Sequence, residues 1–357
     1  MTSGVYVRDA VNRQGVALRA ELEGARPTLG AFSVAGYPDL RSGVETFVAF
    51  AQSGAMVLEV GAPAVDPWLD GAAIAAAHRR ALRAGDGVST TLETVRQVST
   101  LSDKPVITMM YWAMVQAYGP ERMARDLASV GAAGCLVPDV PPAYALAWAR
   151  AAAEAGITAP LLAARGASPA QMSATCRAAT GFVYALAAAG QRTGYSDGID
   201  LDGLASFVGA ARRLAPTTPV LTGIGISTPE LAASAVGQCG VVGVVIGSPL
   251  VRALADGGLD RAIPVVERFA AARAGGGLAD TSAVGGLRNP GQFFEIGPAS
   301  TSRDPLGWAR YRRMHGVNEP FEPPSKGPDD HAASTSVCTG RRVLRAPLSR
   351  ESGSCRA

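Results

Sequence analysis

Two carboxylates, Glu59 and Asp70, lie eleven residues apart in a segment that is otherwise apolar or turn-forming. Glu59 follows a short apolar run that begins at Ala55, and a loop broken by Gly and Pro leads from it to Asp70. A carboxylate at the end of a buried strand is costly unless it is paired, protonated or bound to a ligand. We therefore interpret the pair as candidate acid–base groups. The alternative is a strand-end Glu in a salt bridge with a neighbouring helix.

The elements that must position these acids form a regular repeat. Eight short apolar runs alternate with longer amphipathic stretches, and several of these stretches begin with an N-cap or a first-turn proline, as at Ser168-Pro169 and Thr228-Pro229. The apolar runs are Ala31–Ala35, Ala55–Val60, Pro105–Met110, Gly134–Pro138, Pro160–Ala164, Gly181–Leu186, Pro219–Thr222 and Val241–Ile246.

Strands that are apolar on both faces belong to a parallel sheet that helices cover on both sides. Eight strand–helix units predict an α/β fold of the (β/α)₈ TIM-barrel type, with an open doubly wound sheet as the alternative. The segment Val5–Leu22 is predicted to be an extra helix that closes the bottom of the barrel. Chemistry in a barrel takes place at the C-terminal ends of the strands, where Glu59 falls.

Glycine-rich turns follow predicted strands seven and eight. Their free backbone amides, together with the N-terminus of the next helix, are suited to an anion. The loops after strands seven and eight hold the phosphate in many barrels, and the loop after strand six could close over the same site. The residues expected to bind substrate here are Gly223, Gly225, Ile226, Gly247 and Ser248, with Thr193 and Gly194 from loop six.

Composition excludes several classes of function. Residues 1–270 carry 21 basic and 22 acidic side chains, so no concentrated basic face points to nucleic acid. No apolar run is long enough to span a membrane. The five cysteines contain no CxxC pair and the chain has three histidines, so no metal site is expected. A reducing cytoplasmic compartment is the simplest expectation.

The C-terminal part of the chain differs from the rest. We assign residues 1–274 to the barrel and residues 275–357 to a Gly-, Pro-, Ser- and Arg-rich tail that is mostly disordered, because it has no apolar periodicity. Residues 271–357 contain twelve basic and eight acidic residues. Gly307–His315 could form a short basic–aromatic element, although a solvated tail is the favoured interpretation.

From about Arg26 to Ala272 the chain resembles the α subunit of tryptophan synthase. The segments that carry the resemblance are Phe32–Pro38, Glu59–Gly71, Lys104–Val106, Tyr118–Gly119, Leu136–Pro141, Gly181–Tyr184, Gly223–Ser227 and Gly247–Ser248.

The resemblance implies cleavage of indole-3-glycerol phosphate to indole and glyceraldehyde 3-phosphate, without cofactor or metal. It assigns catalysis to Glu59, Asp70 and Tyr184. Phe32 and Tyr111 are expected to line the indole pocket. A carboxyl group whose pKa is raised towards neutrality can deliver one proton and remove another in turn, which suits Glu59.

The resemblance also implies a pyridoxal-phosphate β subunit in an α₂β₂ assembly, with Pro63, Asp66 and Pro67 at the interface. Three segments depart from the family pattern: Ala113-Met114 after strand three, Ala64-Val65 in loop two, and Ala187–Gly194 in loop six, which has one extra residue. The departures leave two alternatives open. One is a free-standing indole-3-glycerol phosphate lyase, and the other is a degenerate barrel used as a binding subunit.

Overall fold

The computed structural model describes residues 3–188, 192–194 and 198–274, and the side chains of the first helix from residue 13 onward. In this part of the chain strands and helices alternate. The strands are β1 (Thr28–Val34), β2 (Val57–Gly61), β3 (Val106–Met109), β4 (Gly134–Leu136), β5 (Leu161–Ala163), β6 (Val183–Ala185), β7 (Val220–Thr222) and β8 (Gly243–Ile246). The helices are α1 (Ser3–Glu23), α2 (Leu40–Gln52), α3 (Ala72–Leu82), α4 (Gly87–Leu101), α5 (Trp112–Tyr118), α6 (Pro120–Ser129), α7 (Pro142–Ala155), α8 (Pro169–Ala178), α9 (Leu201–Leu214), α10 (Pro229–Cys239), α11 (Ser248–Gly257) and α12 (Leu259–Ala274).

The eight strands form one parallel sheet in the order β4-β3-β2-β1-β8-β7-β6-β5. Its two ends meet, because parallel bridges join Gly134 to Thr158 and Val137 to Leu161 between β4 and β5. The sheet is therefore a barrel, and the prediction of a (β/α)₈ fold is confirmed. The open doubly wound alternative is wrong, since such a sheet leaves two free edges.

The helices begin where local chemistry favours a start. Ser168 caps α8 through a reciprocal capping box with Gln171, and Pro169 occupies the first turn. Thr228 accepts the backbone N–H of Leu231 at the start of α10. These caps fix the start of each helix relative to the preceding strand, and so fix the length of the loop that carries site residues.

Three helices, α3, α5 and α11, were not predicted from the sequence. Helix α3 is rich in Ala, which gives little contrast between its buried and exposed faces, and α5 has only seven residues. Helix α11 follows directly on the Gly247 turn, which the sequence presents as a loop.

Helix α1 covers the N-terminal end of the barrel, as predicted. Leu18 and Leu22 are buried, and the hydroxyl of Thr28 at the start of β1 donates to the carbonyl of Glu21. A cleft beneath α1 is also lined by the turns that precede β5, β6 and β7. The opposite, C-terminal end of the strands stays open for a ligand.

No described helix is long and apolar enough to cross a membrane. The three cysteines in the described part of the chain, Cys135, Cys176 and Cys239, are buried free thiols. The predicted tail, residues 275–357, lies outside the described residues, as does Gly307–His315.

Candidate active site

A cleft opens at the C-terminal ends of the strands, the position at which barrels of this type bind their ligands. Side chains from the inner face of the barrel form its floor, and the loops after β2, β6, β7 and β8 form its walls. The predicted site residues that line it are Phe32, Glu59, Asp70, Tyr184, Thr193, Gly194, Gly223, Gly225, Ile226, Gly247 and Ser248.

Glu59 is the middle residue of β2 and points into the barrel at the base of this cleft. Its Cα partners on the flanking strands are Phe32 and Ile107, so apolar residues stand on both sides of the carboxyl group. Burial, and secondly the charge of Asp70, raises the pKa of Glu59 to about 8. No ion pair among the described residues supports the alternative interpretation, a salt bridge from Glu59 to a neighbouring helix. The buried site therefore favours the protonated form of Glu59.

Asp70 ends the loop after β2 and is also buried. Its Oδ2 accepts hydrogen bonds from the Tyr111 hydroxyl at 2.8 Å and from His78 Nε2 at 3.1 Å. The Thr193 hydroxyl lies 3.4 Å from Oδ1. These donors hold a carboxylate in a fixed orientation at the wall of the cleft.

Tyr111 and Phe32 occupy different positions relative to the cleft. Phe32 lines it directly. Tyr111 stands behind Asp70, where its hydroxyl donates to the carboxylate and accepts the backbone N–H of Leu69 at 3.3 Å. Burial, followed by the negative charge of Asp70, raises the pKa of Tyr111, so its phenol stays protonated and remains a donor. Tyr111, which the sequence predicts to line the indole pocket, is therefore not among the residues that line the cleft and contacts Asp70 instead.

Tyr184, on β6, faces Glu59 across the barrel. Burial, and then the proximity of Glu59, raises the pKa of Tyr184 well above its usual value. Its hydroxyl accepts the backbone N–H of Ile224. A Cβ at Gly223 would lie 1.9 Å from this hydroxyl, so only glycine fits there. Because of its raised pKa the Tyr184 phenol is neutral, and it lines the same cleft as Glu59.

The glycine-rich turns after β7 and β8 form one wall of the cleft. Gly225 has a φ of 102°, a conformation that favours glycine. Gly247 is the N-cap of α11 and has no side chain, so the first amides of this ten-residue helix are directed at the cleft. The arrangement suits an anion at the helix N-terminus.

Two described residues of loop six, Thr193 and Gly194, contact this site. The Thr193 amide donates to the Leu69 carbonyl at 3.0 Å, and its hydroxyl accepts the Gly71 amide at 2.8 Å. Gly194 lines the cleft next to Ser248 and Arg252 of α11. Loop six is thereby tied to the loop that carries Asp70. Gly190 lies outside the described residues.

The three predicted interface residues differ in accessibility. Asp66 is exposed and Pro67 is partly exposed, whereas Pro63 is buried. The same loop presents Val65, 89% exposed, and Trp68, 45% exposed. The apolar tip of loop two is therefore open to solvent next to the cleft.

Two ionisable residues at the site, apart from several apolar lining residues, were missed by sequence reasoning. His78, fully buried on α3, contacts Asp70, and Arg252, on α11, lines the cleft near Gly194. The only sequence signal for either was position: a histidine two turns after Asp70, and an arginine one turn after Ser248. Within the described ranges no cluster of three or more His, Cys, Asp or Glu could hold a metal ion.

Fold and cleft together define the class: a (β/α)₈ barrel whose ionisable groups gather at the C-terminal ends of the strands, where such barrels carry out chemistry. The family model for the tryptophan synthase alpha chain matches residues 19–276. The tryptophan synthase alpha chain of Mycobacterium avium is 37% identical over 253 residues, which cover 71% of this chain and 89% of that protein. That of Streptomyces coelicolor is 34% identical over 244 residues, with coverages of 66% and 85%.

Solved structures agree with the sequence comparison. A structure of Mycobacterium tuberculosis tryptophan synthase matches with a TM-score of 0.65 and 33% identity, covering 73% of this chain and 97% of that one. The α subunit from Legionella pneumophila matches with a TM-score of 0.65 and 25% identity over 73% and 98% of the two chains. The chain belongs to the tryptophan synthase alpha chain family, which is a family of lyases.

Proposed function

We propose that this chain cleaves indole-3-glycerol phosphate to indole and glyceraldehyde 3-phosphate, as the α subunit of a tryptophan synthase in tryptophan biosynthesis. The observation that carries the proposal is Glu59, a buried carboxyl group with a pKa of about 8 at the base of the cleft. A general acid–base with a pKa near the working pH can serve both proton transfers of a retro-aldol cleavage.

The reaction returns Glu59 to its starting state. Protonated Glu59 gives its proton to indole C3, which leaves a positive charge on the ring. The resulting carboxylate then removes the proton of the hydroxyl group next to the breaking bond. The C–C bond breaks, its electron pair neutralises the ring, and the hydroxyl carbon becomes the aldehyde of glyceraldehyde 3-phosphate. No oxidant or reductant is required.

The other site residues have separate roles in this proposal. The carboxylate of Asp70 accepts the indole N1–H and stabilises the positive charge that forms when C3 is protonated. Tyr184 contacts the glycerol part of the substrate beside Glu59. Phe32 packs against the indole ring, and Tyr111 supports the pocket through its hydrogen bond to Asp70.

The phosphate is assigned to the wall formed by the turns after β7 and β8. Backbone amides at Gly225 and Ser248 and the N-terminus of α11 supply donors and partial positive charge. The Ile226 amide donates to the Gly223 carbonyl at 2.8 Å and so shapes the turn instead. The exposed guanidinium of Arg252 adds a full charge at the same wall. Substrate lacking its phosphate should therefore be cleaved with a strongly raised KM.

A β subunit is the proposed protein partner. Asp66, Pro67 and the exposed Val65 and Trp68 form an accessible rim next to the mouth of the cleft, which suits the passage of indole to a neighbouring active site. We also propose a cytoplasmic setting, supported by the buried free thiols.

One observation favours the free-standing lyase as a second candidate. Thr193 and loop two are joined by two hydrogen bonds within this chain alone, at 3.0 and 2.8 Å. Loop six is thus in contact with the Asp70 loop without any β subunit, and we expect measurable cleavage by the isolated chain.

The test is indole release from indole-3-glycerol phosphate by the purified full chain, with and without a tryptophan synthase β subunit. We expect release by the chain alone and only modest stimulation by the β subunit. Stimulation of tenfold or more, with a stable complex on gel filtration, would favour an obligate α subunit. No release under either condition would contradict the proposed function and favour the degenerate barrel.

A further inference from the structure

His78 is a buried titratable residue that the reaction above does not use. It lies on α3, eight residues after Asp70, and none of its side chain is exposed. Buried polar rings in proteins are retained where both nitrogens have partners. The two partners of this ring are both in the loop that carries the candidate acid.

The hydrogen bonds of His78 fix its tautomer. The backbone N–H of Ala64 donates to Nδ1 at 3.1 Å, and a backbone amide can only be the donor. Nδ1 must therefore be unprotonated, and the ring proton lies on Nε2. Nε2 is 3.1 Å from Oδ2 of Asp70 and donates to it.

This donor decides which oxygen of Asp70 faces the ligand. Oδ2 accepts both His78 and the Tyr111 hydroxyl, so its lone pairs are occupied. Among the described residues Oδ1 has the Thr193 hydroxyl at 3.4 Å, a long contact. Oδ1 is the oxygen left for a donor in the cleft.

We propose that His78 is a positioning residue, whose Nε2–H holds Asp70 with Oδ1 turned towards the indole N1–H while its Nδ1 holds the loop after β2 through Ala64. The identity of that ligand rests on the proposed function, whereas the tautomer and the contacts do not.

Two conservative variants separate the two bonds. In His78→Gln the side-chain amide lies where Nε2 was, so it can donate to Asp70 but not accept from Ala64. In His78→Asn the side-chain oxygen lies where Nδ1 was, so it can accept from Ala64 but not donate to Asp70. Both variants lose similar packing, and their melting temperatures serve as the control for a merely structural role.

We expect kcat for indole release to fall at least tenfold in His78→Asn with KM changed less than about threefold, because the developing charge is stabilised in the transition state. His78→Gln should keep kcat within about threefold of the wild type. Equal losses of kcat in both variants, or a larger loss in His78→Gln, would overturn the proposal.

A second measurement holds even if a variant does not fold or the wild type does not cleave this substrate. The chain has three histidines, so ¹⁵N NMR of the imidazole rings is simple, and the His78 signals are those that remain when His315 and His331 are both replaced by Gln. We expect a neutral ring protonated at Nε2 at pH 7. A proton on Nδ1 or on both nitrogens would overturn the proposal, whereas this tautomer without indole release would contradict only the proposed function.

Discussion

Glu59 is the residue at which burial has the largest chemical consequence. The residue is 4% exposed and close to a second acid, and both effects favour the protonated form of its carboxyl group. The same environment that makes it a competent acid makes the ionised form unfavourable in the folded protein. Two predictions follow from this single position, one on rate and one on stability.

Glu59→Gln should lower the turnover number by about 10²–10⁴-fold, because the amide is nearly isosteric but transfers no proton. Circular dichroism and thermal melting should show an intact fold. Glu154→Gln, an exposed residue on α7, is the matched control and should keep full activity. Retention of more than about a tenth of wild-type turnover by Glu59→Gln would exclude it as the proton carrier.

Stability should depend on pH through Glu59. Its pKa is 4.5 unfolded and about 8 folded, so between these values the folded state holds a proton that the unfolded state has lost. The contribution of Glu59 is therefore favourable below pH 4.5 and decreases by about 1.4 kcal/mol per pH unit up to about 8. Glu59→Gln should gain melting temperature relative to the wild type between pH 5 and 8.5. A difference in melting temperature between Glu59→Gln and the wild type that does not change with pH would contradict the raised pKa of Glu59.

At the scale of elements, the site is assembled where loops from different strands touch. Gly71 is the N-cap of α3, and a Cβ there would lie 2.0 Å from the Thr193 carbonyl oxygen. The lack of a side chain at this position is what allows the loop after β2 to contact loop six. The φ of −76° imposes no backbone strain, so steric contact is the only restriction.

Gly71→Ala should therefore displace Thr193 and lower kcat/KM about tenfold or more, since small displacements of positioning groups have large effects on rate. The fold should remain intact. Gly237→Ala on α10, where nothing lies within 4 Å of the new Cβ, is the matched control and should be neutral or stabilise by up to about 1 kcal/mol. Equal activity in both variants would show that the contact is irrelevant to catalysis.

Helix α11 contributes both its N-terminus and Arg252 to the wall of the cleft that is assigned to the phosphate. Arg252→Gln should raise KM for the phosphorylated substrate with little effect on kcat, because the charge is present in ground and transition states alike. Arg268→Gln on α12 removes an equal charge away from the cleft and is the control. A change in KM of less than about twofold would remove Arg252 from the phosphate site.

At the scale of the whole molecule, all eight strands of the barrel lie within the described residues, and the family match ends at residue 276. The boundary between barrel and tail stays a prediction from composition. A chain ending at residue 276 should melt within a few degrees of the full chain and release indole at a similar rate, since a segment outside the core adds little to stability. Loss of folding in the truncated chain would place residues 277–357 in the barrel domain.

The sequence by itself determined the repeat, the strand positions and the two acids. Each of the eight strands was predicted within a few residues, because a strand that is buried on both faces is a short apolar run that can be recognised from the local sequence. Glu59 and Asp70 were evident for a similar reason, since an ionisable group beside an apolar strand stands out from its neighbours. The fold class followed from counting these units.

Only the tertiary structure decided how the acids are held. Tyr111 lies 41 residues and Thr193 lies 123 residues from Asp70 in the chain, yet both hydroxyls reach its carboxylate. His78 was missed because α3 was missed, and its ring became significant only when helix packing placed it against Ala64 and Asp70. The local sequence pattern indicates which residues are buried. Hydrogen-bond partners and pKa shifts depend instead on distances between residues that are far apart in the sequence, and these distances are set only when the barrel closes.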